Sequence, residues 1–180
     1  MSNKNSKSVK LIFFVGMPAV GKTTGGNQMA IRHGLAFIDL DTLIEQGEGM
    51  SIADIFGKYD ESGFREREHA YLLEVIKSTT ENTIVACGGG TPCFHNNMQL
   101  MKNAGSVIYL QADVAHLLDN LIGTDAARPL LDKLDNLAAY LSNTLAQRKE
   151  VYEQADHILP IKDISLATFD EIITSCINSH

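Results

Sequence analysis

Features that would indicate a membrane protein or a nucleic-acid binder are missing from this sequence of 180 residues. The longest apolar run covers only residues 11–15, whereas a membrane helix needs roughly 20 apolar residues. No run of lysine or arginine follows the first residues, and the formal net charge is −7. Proteins that bind nucleic acid generally present a basic face. We therefore expect a soluble, cytoplasmic protein without a nucleic-acid or membrane partner.

Patterns that would indicate a zinc site or a disulfide are also missing. The three cysteines, Cys87, Cys93 and Cys176, include no CxxC pair. The six histidines form no HExxH motif and no pair four residues apart. Zinc ligands and disulfide frameworks usually show such spacings. We therefore predict reduced thiols and isolated histidines.

No internal repeat, low-complexity stretch or linker divides the chain. Its hydrophobic content of 44% is enough for one domain with a substantial core. Residues 1–8 are rich in Ser, Asn and Lys and have no apolar stretch, which favours a short disordered leader over a signal peptide. The remaining residues, 9–180, are predicted to form a single domain.

Short apolar segments alternate with amphipathic ones along the chain, which is typical of a parallel sheet built from βαβ units. Strands are predicted at residues 9–15, 35–39, 83–87, 106–110 and 157–160. Helices are predicted at residues 22–33, 42–46 with 51–56, 60–78, 94–103, 113–121, 134–155 and 165–179. Ser51 and Asp113 are predicted N-caps. The predicted fold class is α/β, with three αβα layers and a central five-stranded parallel sheet.

The strongest local motif is GMPAVGKT at residues 16–23, which fits GxxxxGK[ST], follows an apolar strand and opens a helix. In such a P-loop, backbone N–H groups and the helix N-terminus bind phosphate, and Lys22 adds a point charge. The Thr23 hydroxyl is suited to bind Mg²⁺. Chance would produce the motif in under ~1% of chains of this length. The motif predicts nucleotide binding, but kinases, switch GTPases and motor ATPases all use it.

The next predicted strand ends in two carboxylates, Asp39 and Asp41. Side-chain alternation along a strand would put both on one side, at the sheet edge where α/β proteins bind ligands. One carboxylate could assist Mg²⁺ while the other accepts a proton from an acceptor hydroxyl. The alternative is that Asp41 only caps a helix that begins at Thr42.

Three further segments are less specific alone. The charged run at 63–68 can be explained by a solvated helix face, with Arg65 spaced to pair with Glu61 and Glu68. Glycines 88–90 directly follow an apolar strand and leave bare backbone that a ligand can approach closely. Residues 123–131 combine small and polar residues with Arg128, which suits a mobile flap that carries a cation.

Six segments in this order give the chain a resemblance that spans nearly its whole length: GMPAVGKTT, FIDLD, FRERE, CGGG, ARPLL and QRKEVYEQAD. The chain is similar to the shikimate kinases, a family of P-loop NTPases with the fold of nucleoside monophosphate kinases. The resemblance implies ATP- and Mg²⁺-dependent phosphorylation of the 3-hydroxyl of shikimate, a step toward chorismate and the aromatic amino acids. It also implies a monomer.

The resemblance further implies roles for individual residues. Lys22, Asp41 and Arg128 would be catalytic, with Asp41 as the candidate base and Arg128 on a mobile lid at about 121–131. The residues that contact the nucleotide would be Gly16, Ala19, Val20, Gly21, Lys22, Thr23, Thr24 and Arg128. Those that bind shikimate, partly within a segment at about 41–78, would be Asp41, Arg65, Gly88, Gly89, Gly90 and Arg148. Mg²⁺ would be held by Thr23 and Asp39.

Three alternatives remain open at this stage. A GTPase switch would need an NKxD guanine-binding motif, which is missing, and the DxxG match at 60–63 has no apolar strand before it. Another small-molecule kinase, for gluconate or a nucleotide, shares the P-loop but would not require the glycine run together with Arg65 and Arg148. A catalytically silent nucleotide-binding module would not need to retain Asp41 and these arginines.

Overall fold

A computed structural model describes residues 9–122, 134–163 and 165–178. The strands are β1 (Leu11–Val15), β2 (Ala36–Asp39), β3 (Thr83–Ala86), β4 (Gly105–Gln111) and β5 (His157–Pro160). The helices are α1 (Lys22–His33), α2 (Leu40–Glu48), α3 (Ile52–Ser78), α4 (Asn97–Ala104), α5 (Val114–Ile122), α6 (Leu134–Tyr152) and α7 (Leu166–Asn178). Short 3-10 helices lie at Thr91–Cys93 and Ile161–Asp163.

The five strands form one parallel sheet in the order β2-β3-β1-β4-β5. Strand β1 is central and fully buried because all five of its residues are apolar. The connection after β1 crosses β3 to reach β2, and the connection after β3 crosses β1 to reach β4. These two connections therefore run in opposite directions along the sheet. In parallel sheets, ligands bind at the carboxyl ends of the strands beside such a reversal.

Helices cover both faces of the sheet. Phe14 of β1 stacks on Phe169 of α7, with ring centroids 5.5 Å apart. Val15, the next residue, is in register with Tyr109 of β4, which therefore lies on the other face. Tyr109 packs there against Tyr152 of α6 at 5.0 Å. The predicted three-layer αβα arrangement with five parallel strands is confirmed.

All five predicted strands are present with small shifts at their ends, and both predicted N-caps are confirmed. Ser51 Oγ accepts a hydrogen bond of 3.1 Å from the amide of Asp54, and Asp113 Oδ1 accepts one of 2.8 Å from the amide of His116. Strong apolar runs and caps are local signals, which explains why the sequence predicts them well.

Several predicted helix boundaries are wrong. The helices predicted at 51–56 and 60–78 form one element, α3, with a break at Asp60, where φ is 58°. The Asp60 side chain accepts a hydrogen bond of 3.0 Å from the amide of Gly63 and so caps the second part. The helix predicted at 94–103 begins only at Asn97, after the 3-10 turn, and α6 ends at Tyr152 instead of residue 155.

The predicted leader at 1–8 lies outside the described residues. Among the helices of the described ranges, none combines the length and the apolar character needed to cross a bilayer. The three cysteines are free, as predicted. Within the same ranges, no three His, Cys, Asp or Glu side chains come together as a potential metal cluster.

Candidate active site

The P-loop connects the end of β1 to the start of α1 through residues with positive φ: Gly16 at 142°, Ala19 at 63° and Gly21 at 96°. A Cβ on Gly16 would approach the carbonyl oxygen of Leu110 to 2.6 Å, so glycine is required there. Gly21 is the N-cap of α1, and no side chain in the described ranges caps that end. The first amides of α1 are therefore available to bind an anion.

Lys22 is almost fully buried at the start of α1. Its Nζ donates hydrogen bonds to the carbonyl oxygens of Gly16, at 3.0 Å, and Met17, at 2.8 Å. Burial lowers the pKa of Lys22 to about 8, and the charge of nearby Asp41 opposes that shift. The ammonium group is thus held inside the loop by acceptors that a phosphate could replace.

A groove of about 490 Å³ runs beside the P-loop. It is lined by Ala19, Gly21, Lys22, Thr23, Thr24, Asn120 and Leu121. Val20, a predicted nucleotide contact, is instead only 3% exposed and packs in the core. Asn120 of α5 was not predicted, yet its Nδ2 donates a hydrogen bond of 2.9 Å to the carbonyl oxygen of Ala19. No sequence motif marks Asn120, because its contact spans 101 positions of the chain.

Asp39 joins the end of β2 to both the P-loop and α2. Its Oδ2 accepts a hydrogen bond of 2.6 Å from Thr23 Oγ1. Its Oδ1 accepts a hydrogen bond of 3.1 Å from the amide of Thr42, so Asp39 is the N-cap of α2. The alternative in which Asp41 caps this helix is therefore wrong. The structure brings together the two predicted metal ligands.

Asp41 lies in the first turn of α2, because the strand ends at Asp39. The prediction that Asp39 and Asp41 share one side of a strand is wrong for that reason. Burial, together with the charges of Glu68 and Asp39, raises the pKa of Asp41 to about 6, and the charge of Lys22 opposes the rise. A carboxylate with this pKa is mostly ionised at pH 7 and can accept a proton.

Asp41 faces a second cavity of about 210 Å³ beside the P-loop. Its lining combines all six predicted shikimate-binding residues with an acidic and several apolar side chains. The lining residues are Pro18, Asp41, Ile52, Phe56, Phe64, Arg65, Glu68, Gly88, Gly89, Gly90, Tyr140 and Arg148. The cavity suits one small molecule that carries both an anionic group and an apolar face. Ile52, the aromatic residues and Glu68 were not predicted, because single apolar residues on a helix look like core.

Arg65 is buried in this cavity wall by charged and aromatic neighbours. Its Nη1 donates a hydrogen bond of 2.8 Å to Glu68 Oε2, and its Nη2 donates one of 3.2 Å to Glu61 Oε1. Its guanidinium carbon lies 4.4 Å from the ring centroid of Phe94. Its Nε is a buried atom without a hydrogen-bond partner among the described residues. Explaining the charged run at 63–68 as a solvated helix face is therefore wrong for Arg65 and Glu68.

The three glycines after β3 allow side chains from other elements to approach their backbone. A Cβ on Gly88 would lie 2.8 Å from oxygens of both Asp41 and Glu68. A Cβ on Gly90 would lie 2.5 Å from the Arg65 guanidinium, and one on Gly89 would lie 2.9 Å from the ring of Pro18. The glycine run is thus required for close packing of the protein's own side chains, whereas the sequence predicted close approach of a ligand.

Arg128 and residues 123–131 of the predicted lid lie outside the described residues. The described part of the site divides into two halves that meet at Lys22 and Asp41. One half has P-loop amides, Lys22 and the Thr23 hydroxyl, which suit a phosphate chain. The other half has a carboxylate and two arginines, which suit a small hydroxylated anion.

Comparison with known proteins shows the family of the chain. The family model described as shikimate kinase matches residues 18–179. A shikimate kinase of Azobacteroides pseudotrichonymphae is 38% identical over 160 residues, which cover 88% of this chain and 94% of the relative. A crystal structure of the Bacteroides thetaiotaomicron shikimate kinase has a TM-score of 0.84 and 30% identity, with coverage of 92% of this chain and 98% of that one.

A second solved structure, of the Acinetobacter baumannii shikimate kinase in complex with shikimate, has a TM-score of 0.80 and 30% identity. Its alignment covers 98% of this chain and 97% of that one. The family match spans most of the chain, and the Azobacteroides relative is 38% identical over 94% of its own length. The chain therefore belongs to the shikimate kinase family.

Proposed function

We propose that the chain transfers the γ-phosphoryl group of ATP to the 3-hydroxyl of shikimate, giving ADP and shikimate 3-phosphate on the route to chorismate and the aromatic amino acids. The observation that carries the proposal is the cavity of about 210 Å³, which brings Asp41, Arg65, Arg148 and the three glycines together beside Lys22. Family membership supports the same reaction.

Arg65 and Arg148 are proposed to bind the carboxylate of shikimate. Guanidinium groups bind carboxylates through paired N–H donors, and both arginines line the same cavity. The ion pair with Glu68 and the contact with Phe94 hold Arg65 in position before substrate binds. Arg65 Nε supports this role, because a buried donor without a protein partner is costly unless a ligand accepts its hydrogen bond.

Asp41 is proposed to orient the reacting hydroxyl and to accept its proton. The hydroxyl oxygen forms a bond to the γ-phosphorus as the bond between that phosphorus and the β,γ-bridging oxygen breaks. The proton released from the hydroxyl passes to Asp41. A pKa of about 6 supports this role, because the group is ionised at neutral pH yet more basic than an ordinary aspartate.

The P-loop is proposed to bind the phosphates of ATP through the amides of residues 16–24 and the ammonium of Lys22. Lys22 is already directed into the loop by its bonds to the Gly16 and Met17 carbonyl oxygens. Asn120 adds support on the opposite side of the groove, where it fixes the carbonyl of Ala19. Arg128 is proposed, from the sequence alone, as a further cation for the phosphoryl group.

Thr23 and Asp39 are proposed to hold Mg²⁺. The fit is good, because Thr23 Oγ1 and Asp39 Oδ2 lie 2.6 Å apart and Mg²⁺ prefers hydroxyl and carboxylate oxygens. When bound, the ion would neutralise charge on the β- and γ-phosphate oxygens. Asp39 is fixed for this role by its second bond, to the amide of Thr42.

We further propose that the protein acts as a cytoplasmic monomer without nucleic-acid or membrane partners. The net charge of −7 supports weak affinity for polyanions. Light scattering after size-exclusion chromatography tests the monomer. A mass of twice 19.7 kDa at micromolar concentration would contradict it.

The reaction is tested by measuring ADP release with a panel of acceptors at saturating Mg²⁺ and ATP. Shikimate should stimulate ADP release far above the rate in buffer, and mass spectrometry should detect a monophosphorylated product. Gluconate and nucleoside monophosphates should give rates near background. Stimulation by gluconate or a nucleotide without stimulation by shikimate would overturn the proposal.

A further inference from the structure

Tyr152 is a buried residue at the end of α6 that lies within the segment QRKEVYEQAD, but the sequence assigns it no role and it is not among the residues that line the acceptor cavity. It is 0% exposed, and its ring packs against Tyr109 at a centroid distance of 5.0 Å. Its hydroxyl donates a hydrogen bond of 2.6 Å to the carbonyl oxygen of Gly89, 63 positions earlier. Any buried tyrosine hydroxyl needs a hydrogen-bond partner. Here the partner, Gly89, lines the acceptor cavity, so the bond connects α6 to that cavity.

The glycine run has three carbonyl groups, and that of Gly89 is held differently from the other two. The carbonyl of Gly88 accepts from the amide of Thr91 at 3.1 Å, and that of Gly90 accepts from the amide of Cys93 at 2.9 Å. Both bonds lie within the loop. The carbonyl of Gly89 is held instead by the Tyr152 side chain. Because the peptide unit is planar and trans, fixing the Gly89 carbonyl also fixes the direction of the Gly90 N–H.

Tyr152 also lies beside the other substrate-binding elements. Arg148 is one helical turn earlier on α6, and its Nη1 lies 3.2 Å from the position of a Cβ on Gly89. Burial raises the pKa of Tyr152, and Arg148 opposes the rise through its charge and a side-chain hydrogen bond. The hydroxyl is 3.9 Å from Met17 Sδ of the P-loop. One hydroxyl group therefore contacts both the glycine run and the edge of the P-loop.

We infer that Tyr152 is a positioning residue for the acceptor: its hydroxyl orients the Gly89 peptide in the wall of the acceptor cavity, and thereby sets the affinity for the acceptor. The inference rests on the proposed function, since it assigns the acceptor to this cavity. Glycine lacks a side chain that would restrict its backbone, so a flexible glycine run needs an outside group to select one peptide orientation. Tyr152 supplies that group.

The test is Tyr152→Phe, which removes one oxygen atom and keeps the ring. Leaving the Gly89 carbonyl without its partner should raise KM for shikimate by about tenfold. The Kd for ATP should stay within about twofold, because the phosphate-binding amides and Lys22 do not contact Tyr152. Tyr109→Phe is the matched control, since it removes the same atom from the other ring of the packed pair. It should leave KM for shikimate within about twofold.

Melting temperatures of both variants separate local positioning from general loss of packing. The inference is overturned if Tyr152→Phe keeps the wild-type KM for shikimate. It is equally overturned if Tyr109→Phe raises that KM as much, because the effect would then come from packing of the ring pair. If the wild-type protein does not turn over shikimate, the proposed function and this inference are both overturned. If the wild type is active and Tyr152→Phe has an unchanged KM, only the role of Tyr152 is overturned.

Discussion

Arg65 Nη1 lies 2.8 Å from Glu68 Oε2, and both side chains are buried, at 9% and 1% exposure. The two residues are one turn apart on α3, so the pair forms within a single helix. Glu68 Oε1 accepts a second, short hydrogen bond of 2.5 Å from Thr91 Oγ1, just after the glycine run. Glu68 therefore fixes the Arg65 guanidinium relative to the loop across the cavity, and the geometry of the acceptor site depends on this carboxylate.

Arg65→Lys should raise KM for shikimate at least about tenfold while kcat changes little, because lysine keeps the charge but loses the paired N–H donors. Steady-state kinetics with shikimate as the varied substrate measures this. Arg67→Lys is the matched control: Arg67 is two residues away and bonds Glu48 at 3.0 Å outside the cavity. Equal effects of the two substitutions would contradict the assignment of Arg65 to the acceptor.

Gly90→Ala should impair acceptor binding through a steric clash. The new Cβ would lie 2.5 Å from the Arg65 guanidinium, which must then move. We expect KM for shikimate to rise about tenfold or more with ATP affinity retained. Gly57→Ala is the control, because a Cβ there meets open space and alanine favours a helix by about 1 kcal/mol. A wild-type KM in Gly90→Ala would show that Arg65 does not need its present position.

The sequence predicts the phosphate half of the site almost completely, because a P-loop is a continuous segment between a strand and a helix. The acceptor half depends on side chains from α2, α3, α6 and the glycine loop, and spacing alone does not bring these together. Glu68 and Arg65 resemble an ordinary surface pair until their burial is known. Tyr152 lies within the segment QRKEVYEQAD, but the sequence does not predict its long-range hydrogen bond to the Gly89 carbonyl.

Strand and helix types were predicted well, whereas the position of Asp41 depended on where β2 ends. The Asp39 side chain caps α2 and so ends the strand two residues before Asp41. Capping competes with strand continuation wherever an aspartate follows a short strand. Because α2 begins at Leu40, the alternation of side chains along β2 does not extend to Asp41, and the predicted shared side was wrong for this reason.

Thr23→Val should weaken the binding of Mg²⁺, because valine has the shape of threonine but no hydroxyl. The lost group lies 2.6 Å from Asp39 Oδ2. We expect the Mg²⁺ concentration for half-maximal activity to rise about tenfold or more. Thr23→Ser, which keeps the hydroxyl, should remain near the wild-type value. Chelation of all divalent cations should abolish activity, and residual activity at the wild-type level would contradict the Mg²⁺ requirement.

Asp41→Asn should lower kcat by about a hundredfold or more, because the amide cannot accept the hydroxyl proton. Binding of ATP, measured by calorimetry, should be retained. For the wild type, kcat/KM should fall as pH drops through about 6, since the carboxylate becomes protonated there. Asp54→Asn, on the exposed first turn of α3, is the control and should keep wild-type kinetics. An unchanged kcat in Asp41→Asn would exclude this residue as the base.

Asp41→Asn should also stabilise the fold at neutral pH. The pKa of Asp41 is about 6 in the folded protein, above its ordinary 3.8, so the folded state disfavours the ionised form. This cost is absent below pH 3.8, develops between 3.8 and about 6, and is complete above 6; the difference corresponds to about 3 kcal/mol at most. Urea denaturation should show a stabilised variant at pH 7.5 and no difference near pH 4. A variant less stable than wild type at pH 7.5 would contradict the raised pKa.

ATP binding should be linked to protonation of Lys22. Burial lowers the pKa of Lys22 to about 8, so the free protein loses this charge as pH rises through 8. Bound phosphates favour the charged ammonium and raise its pKa again, so binding at pH 8.5 should take up a proton in about three quarters of the molecules. Calorimetry in two buffers that differ in ionisation enthalpy measures this uptake.

The same experiment near pH 7 is the internal control, since about nine tenths of Lys22 is then already charged. Lys22→Arg provides a second control, because a guanidinium stays protonated at both pH values. This substitution should therefore abolish the proton uptake on ATP binding. ATP affinity of the wild type should fall above pH 8 in step with the loss of charge. Proton release at pH 8.5, or equal uptake by Lys22→Arg, would show that the titrating group is not the P-loop lysine.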